Sequence, residues 1–248
     1  MNRRSFLKAG AGTAGLFLSR PGWCVPAENA QPTDDDILVQ AKARIDQHRK
    51  GDGTVLVRDA RGKAMPGARV KVEQLRHDFL FGGNFYMFGH CGKPELEEPY
   101  RQRFEALLNY CTLAFYWAYY EGERGKPIYD YTDGVAAWTR AHGITCKGHP
   151  LVWDAAAGSP GWLPEDPQEI ERLSTTRVRE IVSRFKGRID IWDVVNEATH
   201  LADKSNQTRM ADWAAGRGAV PYVAEHLRTA RTANPQATLL VNDYRLGP

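Results

Sequence analysis

An α/β fold built on a parallel sheet, and within that class part of a (β/α)8 barrel, is predicted by three observations. From Phe79 onward, short apolar runs alternate with amphipathic helical stretches, a pattern that implies parallel strands joined by helical crossovers. The runs close on polar or aromatic groups: Asn84, Trp117, His149 with Trp153, Asn196 with Glu197, and Asn242 with Asp243 and Tyr244. Positions so far apart in sequence meet where a barrel presents the carboxyl ends of its strands. A doubly wound sheet would also gather strand ends, but it would show a glycine-rich phosphate turn. Gly82-Gly83-Asn84 comes nearest and lacks the spacing. About five of the eight strand–helix units of such a barrel can be counted, preceded by a small β-rich leader.

The bulk numbers fit. The chain has 248 residues, 42% hydrophobic and 25% charged, enough for a sizeable core. A net charge of +3, spread along the chain, gives no footprint for a nucleic-acid partner. Cys24, Cys91, Cys111 and Cys146 have no metal-ligand spacing, so no metal, cofactor or disulfide framework is indicated beyond, at most, one bridge.

Taken in order, residues 1–27 read as a targeting segment. Arg3 and Arg4 stand before Ser5-Phe6-Leu7-Lys8, as in twin-arginine export signals, and Ala9 to Leu18 is apolar but too short to span a bilayer. Cleavage is expected after Ala27, leaving a periplasmic or secreted protein with no membrane attachment. Residues 28–78 form the leader. Asp34, Asp35 and Asp36 start a helix running to Lys50, with Ile37, Leu38, Ala41 and Ile45 on one stripe. Val55-Leu56-Val57 and Val70-Lys71-Val72-Glu73 alternate around turn signals at Asp59–Gly62 and Met65–Gly67, which predicts a small antiparallel unit serving as structure.

Residues 79–248 form the incomplete barrel. Strands are predicted over Phe79–Asn84, Thr112–Trp117, Ile144–Val152 and Ala237–Asn242. The helix over Pro94–Tyr110 turns Leu96, Tyr100, Phe104, Leu107 and Leu108 inward. Asp133 caps a helix ending at His142. Asp166-Pro167-Gln168-Glu169 reads as a capping box opening a helix that Gly187 stops. A further helix spans Val220 to Ala233. Between the last two helices lies Ile189-Asp190-Ile191-Trp192-Asp193-Val194-Val195, a buried strand tipped by Asn196 and Glu197. A carboxyl at such a tip is poorly hydrated, which favours its protonated form and suits it to general-acid work. The Asn196 amide can both donate to and accept from a sugar hydroxyl.

Trp192-Asp193-Val194-Val195-Asn196-Glu197 resembles the acid/base motif of glycoside hydrolase family 10, the retaining endo-β-1,4-xylanases. Gly148-His149-Pro150-Leu151-Val152-Trp153 resembles the motif after that family's third strand, and Asn242-Asp243-Tyr244 the one after its fifth, in the same order. The resemblance covers about residues 40 to 248. It implies xylan or a related β-linked polysaccharide as partner and substrate. Glu197 would be the acid/base, Asn196 would bind the 2-hydroxyl of the cleaved sugar, and His149 and Trp153 would line the same subsite. Asn84, Trp117, Asn242 and Tyr244 complete the expected binding set.

There are departures. Where the family carries Lys-Trp-Glu after its second strand, with an Asn three residues earlier, this chain has Tyr116-Trp117-Ala118 and Leu113; where it has His after Val-Trp, this chain has Asp154. The family's nucleophile, a Glu on the seventh strand, is expected beyond Pro248, so this chain alone is expected to be inactive. Glu121, Asp154 and Asp243 are the carboxylates that chemistry would allow as substitutes. Three readings follow: a retaining xylanase-type hydrolase, or one for another β-linked polysaccharide; a non-catalytic carbohydrate-binding protein; and a hydrolase holding a metal with His149, Asp154 and Glu197.

Overall fold

A computed structural model describes residues 33–75, 77–203 and 206–244. The targeting segment and the arginine pair lie outside the described residues. The chain divides into two compact units, meeting at Glu73 and Gln74.

In the first unit, α1 (Asp34–His48) opens on a capping box. The Thr33 hydroxyl accepts from the Asp36 N–H, and Asp36 accepts from the Thr33 N–H. None of its residues is buried, the Ile37 and Ile45 stripe included. The predicted antiparallel unit shrinks to one bridge between Arg58 and Ala64, and Val70–Glu73 forms no strand. The turn chemistry was real, since Asp59 accepts from Arg61 and Lys63, but alternation gave these strands no apolar face to bury against: Val72 is 84% exposed.

The second unit is a five-stranded sheet, parallel throughout, in sequence order: β1 (Gly82–Asn84), β2 (Tyr110–Ala114), β3 (Thr145–His149), β4 (Ile191–Asn196) and β5 (Thr238–Asn242). Its crossovers carry α2 (Pro94–Leu107), the single turn α3 (Trp117–Tyr120), α4 (Tyr129–Ala141), α5 (Pro167–Phe185), α6 (Arg209–Arg217) and α7 (Ala219–Ala233). This is the predicted barrel order as far as it goes. Several bounds differ. β1 and β2 are shorter than expected. α4 begins ahead of Asp133, which instead receives Arg184 and, at 2.9 Å, Arg188. The Pro167 helix is capped by Asp166 accepting from Gln168 N–H, while Glu169 pairs with Arg124 and Arg172. α6 was not foreseen. On α2 only Phe104 is buried; Leu96 and Leu107 are 47% and 76% exposed, because no element of the described residues covers that side of the helix.

The sheet has two unlike faces. Toward the helices point Cys111 and Leu113 of β2, Cys146 and Gly148 of β3, and Trp192 and Val194 of β4, all buried. Trp192 lies flat over Gly148, where any Cβ would collide with the indole; that close approach is why glycine stands there. Phe115 and Phe185 meet the same indole edge-on at 5.0 and 6.1 Å. Cys111 and Cys146 sit side by side in register as free thiols. Toward the opposite face point Thr112, Ala114, Lys147 and His149, all half-buried. Arg177 of α5 ties the two layers together. Its guanidinium donates to the Leu151 carbonyl at 2.9 Å and to the Phe115 carbonyl, beneath the rings of Trp117 and Tyr120.

Candidate active site

The carboxyl ends of β2, β3 and β4 bring the predicted acid together with aromatic and amide groups. β4 carries an irregularity near its end. Its register with β5 slips between Asp193 and Val195, and Val152 bridges Val195 from beyond β3. Glu197, directly after β4, has φ +57°, a left-handed backbone uncommon for anything but glycine, asparagine or aspartate. Its N–H donates to the Asn242 carbonyl at 2.7 Å, which fixes the turn. The Glu197 side chain is half-buried, and the Trp153 indole N–H donates to its Oε2 at 3.0 Å. Beside it, the Asn242 amide donates to the Asn196 Oδ1 at 2.7 Å, and Asn196 is almost fully buried.

His149 is held from below. Its Nδ1 lies 2.7 Å from Asp193 Oδ2, and Lys147 Nζ reaches the same oxygen at 2.6 Å. A carboxylate facing Nδ1 puts the imidazole proton there and leaves Nε2 as an acceptor in the neutral ring. Burial pushes the Asp193 carboxyl up, but the hydrogen bonds from His149 and Lys147 outweigh it and hold the group below its ordinary value. Asp193 therefore stays ionised and is nearly inaccessible, at 1% exposed.

The structure gathers Glu197, Asn196, Asn242, Trp153 and His149. It does not gather all of the expected set. Trp117 is buried at 1% exposure, with its indole N–H on Glu121 and its ring against Trp162. β2 stops at Ala114, and burial alternates on from Cys111 through Trp117, so Trp117 shares the core side with Leu113 and Phe115. Tyr116 takes the outward place, its ring 5.5 Å from His149 and 5.8 Å from Trp153. Asn84 is exposed at the end of β1, three strands from β4. Tyr244 stacks on His200 with centroids 4.1 Å apart.

Three participants were missed. Lys147 stands two residues before His149, and alternation along Cys146-Lys147-Gly148-His149 would have put both on one face. Asp193 lay inside the quoted motif. Tyr86 meets Tyr116 at 6.1 Å with the ring planes 78° apart, and nothing local in the sequence announces that contact. Burial first, then the Tyr116 hydroxyl, push the Tyr86 phenol far above its ordinary value.

The carboxylates weighed as substitutes have other partners. Glu121 accepts from Trp117 and, at 2.7 Å, from the Gly125 N–H. Asp154 accepts from Asn206 at 2.9 Å, and its carbonyl from the Thr208 hydroxyl. Asp243 accepts from the Thr199 and Tyr244 N–H groups. His149, Asp154 and Glu197, the trio considered around a metal, thus each bond a different residue.

Glu197, two amides and the Trp153 indole thus stand together at the carboxyl ends of parallel strands, the face on which barrel proteins carry their sites. The model of glycosyl hydrolase family 10 matches residues 80–247, and this chain belongs to that family. Endo-1,4-beta-xylanase 5 of Arabidopsis thaliana is 31% identical over 55% of this chain and 24% of its own length. Endo-1,4-beta-xylanase B of Thermotoga neapolitana is 31% identical over 72% of this chain and 50% of its own. In structure, a family 10 protein from Paenibacillus barcinonensis superposes with a TM-score of 0.57 at 24% identity, over 67% of this chain and 51% of that one, a likeness of fold. The chain thus spans no more than about half the length of the curated relatives it matches.

Proposed function

We propose that this chain carries the acid/base half of a retaining β-1,4-glycosidase site acting on xylan or a related β-linked polysaccharide. The observation that supports it is the Trp153 N–H on the Glu197 carboxyl, beside the Asn242–Asn196 pair and His149. Glu197 protonates the leaving oxygen. Asn196, steadied by Asn242, binds a hydroxyl of the cleaved sugar, and His149 offers Nε2 to another. The retaining route also requires a second carboxylate about 5 Å away on the opposite face of the sugar, and Glu121, Asp154 and Asp243 are each bonded to other groups. That observation favours a second reading, carbohydrate binding without turnover by this chain.

The test is to titrate the 248-residue chain with xylotetraose while following tryptophan fluorescence, and to assay it on xylan and an aryl xylobioside. Binding without hydrolysis is expected; absence of binding would overturn the assignment. In a polypeptide that brings a second carboxylate to the site, Glu197→Gln lowers turnover on xylan by about 10²–10⁴-fold and on the aryl substrate much less, because a good leaving group needs little protonation. Equal losses on both substrates argue against Glu197 as the acid.

The amino-terminal segment supports export to the periplasm or beyond. Changing Arg3 and Arg4 to Lys is expected to retain the protein in the cytoplasm, and cell fractionation checks this; undiminished export would count against the twin-arginine reading.

A further inference from the structure

We propose that Arg177 and Tyr120 hold a halide ion between α5 and α3. Arg177 is buried at 4% exposure, and its hydrogen bonds go to neutral carbonyls, at Leu151 and Phe115. The rings of Trp117 and Tyr120 cover it, 5.1 and 4.9 Å from the guanidinium carbon, and ring faces attract a positive charge without cancelling it. Nη1 has no hydrogen-bond partner among the described residues, and neither has the hydroxyl of Tyr120, itself buried. Buried donors left unbonded are costly, and so is a buried charge without a counter-ion. Both side chains line one cavity of about 230 Å³. A halide there accepts from the N–H and the O–H and balances the charge.

Two carboxylates line the same cavity, and neither bonds the guanidinium. Glu121 has its oxygens on the Trp117 indole and the Gly125 N–H, and Glu180 is exposed. Burial pushes the Arg177 pKa down to about 10, further than Glu121 nearby restores it. The same carboxylates limit what can enter. A phosphate would set a second negative charge against them and bring more oxygens than two donors satisfy. A single monovalent ion meets neither obstacle. The guanidinium that would hold it also braces the carbonyls of Leu151 and Phe115, one residue beyond Pro150 and one before Tyr116, so the ion would steady the strand ends that carry His149 and Tyr116.

The experiment follows thermal unfolding of the full chain by tryptophan fluorescence, in sodium chloride and in sodium gluconate at equal ionic strength. Chloride at about ten times its dissociation constant is expected to raise the midpoint by about 3–6 °C over gluconate, and the rise saturates. Tyr120→Phe keeps the ring, removes the hydroxyl and shrinks the shift. Arg177→Met abolishes it. Glu180→Gln enlarges it, because a repelling carboxylate is gone. Crystals grown in sodium bromide are expected to show an anomalous peak between Arg177 Nη1 and the Tyr120 hydroxyl. Equal midpoints in chloride and gluconate, or water in place of bromide between those two donors, would overturn the site. A chloride shift undiminished in Tyr120→Phe would overturn it as well, since the ion would then bind elsewhere.

Discussion

The two faces of the five-stranded sheet were built to different ends. On the helix-facing side, Leu113, Gly148 and Trp192 pack to the density of a core. The other side carries Thr112, Lys147 and His149, partly open, with Lys147 and His149 both bonded to Asp193. Adjacent residues of one strand thus belong to separate economies, one set by shape and the other by chemistry. The difference teaches that in such a sheet a residue's parity along the strand says more about what it does than its neighbours in sequence.

The sharpest way to break the comparison is Trp192→Ala. The indole covers Gly148 and meets Phe115 and Phe185, so its loss is expected to cost about 3–5 kcal/mol, read from urea unfolding. The second lies in the helix layer. His226 of α7 is buried between the Tyr222 carbonyl at 2.7 Å and the Ser174 hydroxyl at 3.1 Å, and burial pushes its pKa down to about 4. A histidine held neutral when folded binds its proton more readily when unfolded. Its contribution is therefore complete above about pH 6.5 and falls away as pH drops toward 4, by about 3 kcal/mol in all. His226→Gln is expected to flatten unfolding free energy over that window. Smallest is Thr112→Ala on the open face, within about 0.5 kcal/mol by the same unfolding measurement. A large loss there would mean that the open face is also packed.

Legibility followed the same division. The alternation of strands and helices and the motifs at their ends were readable because each is local: apolar runs, caps, a turn, an Asn-Glu tip. Glu197, Asn196 and His149 were placed at strand ends in this way, and that is where they lie. Tyr116 was passed over for Trp117 although alternation from Cys111 onward sets Trp117 with the buried Leu113 and Phe115 and leaves Tyr116 on the open side. Tyr86 and the Lys147–Asp193 pair depend on strands meeting across the sheet, and no single stretch encodes that. The leader erred in the other direction. Its alternation and turns were plain, yet Val55 and Val72 stay exposed, because pattern supplies a face and only a partner buries it.

One consequence of the backbone at Glu197 concerns how this protein can change over generations. A glutamate with φ +57° is held against its own preference, whereas glycine would rest there at ease and asparagine nearly so. A lineage rewarded only for withstanding heat has a downhill step available at that codon, and taking it erases the carboxyl. Wherever this position keeps its glutamate under thermal challenge, something other than the integrity of the fold is being selected.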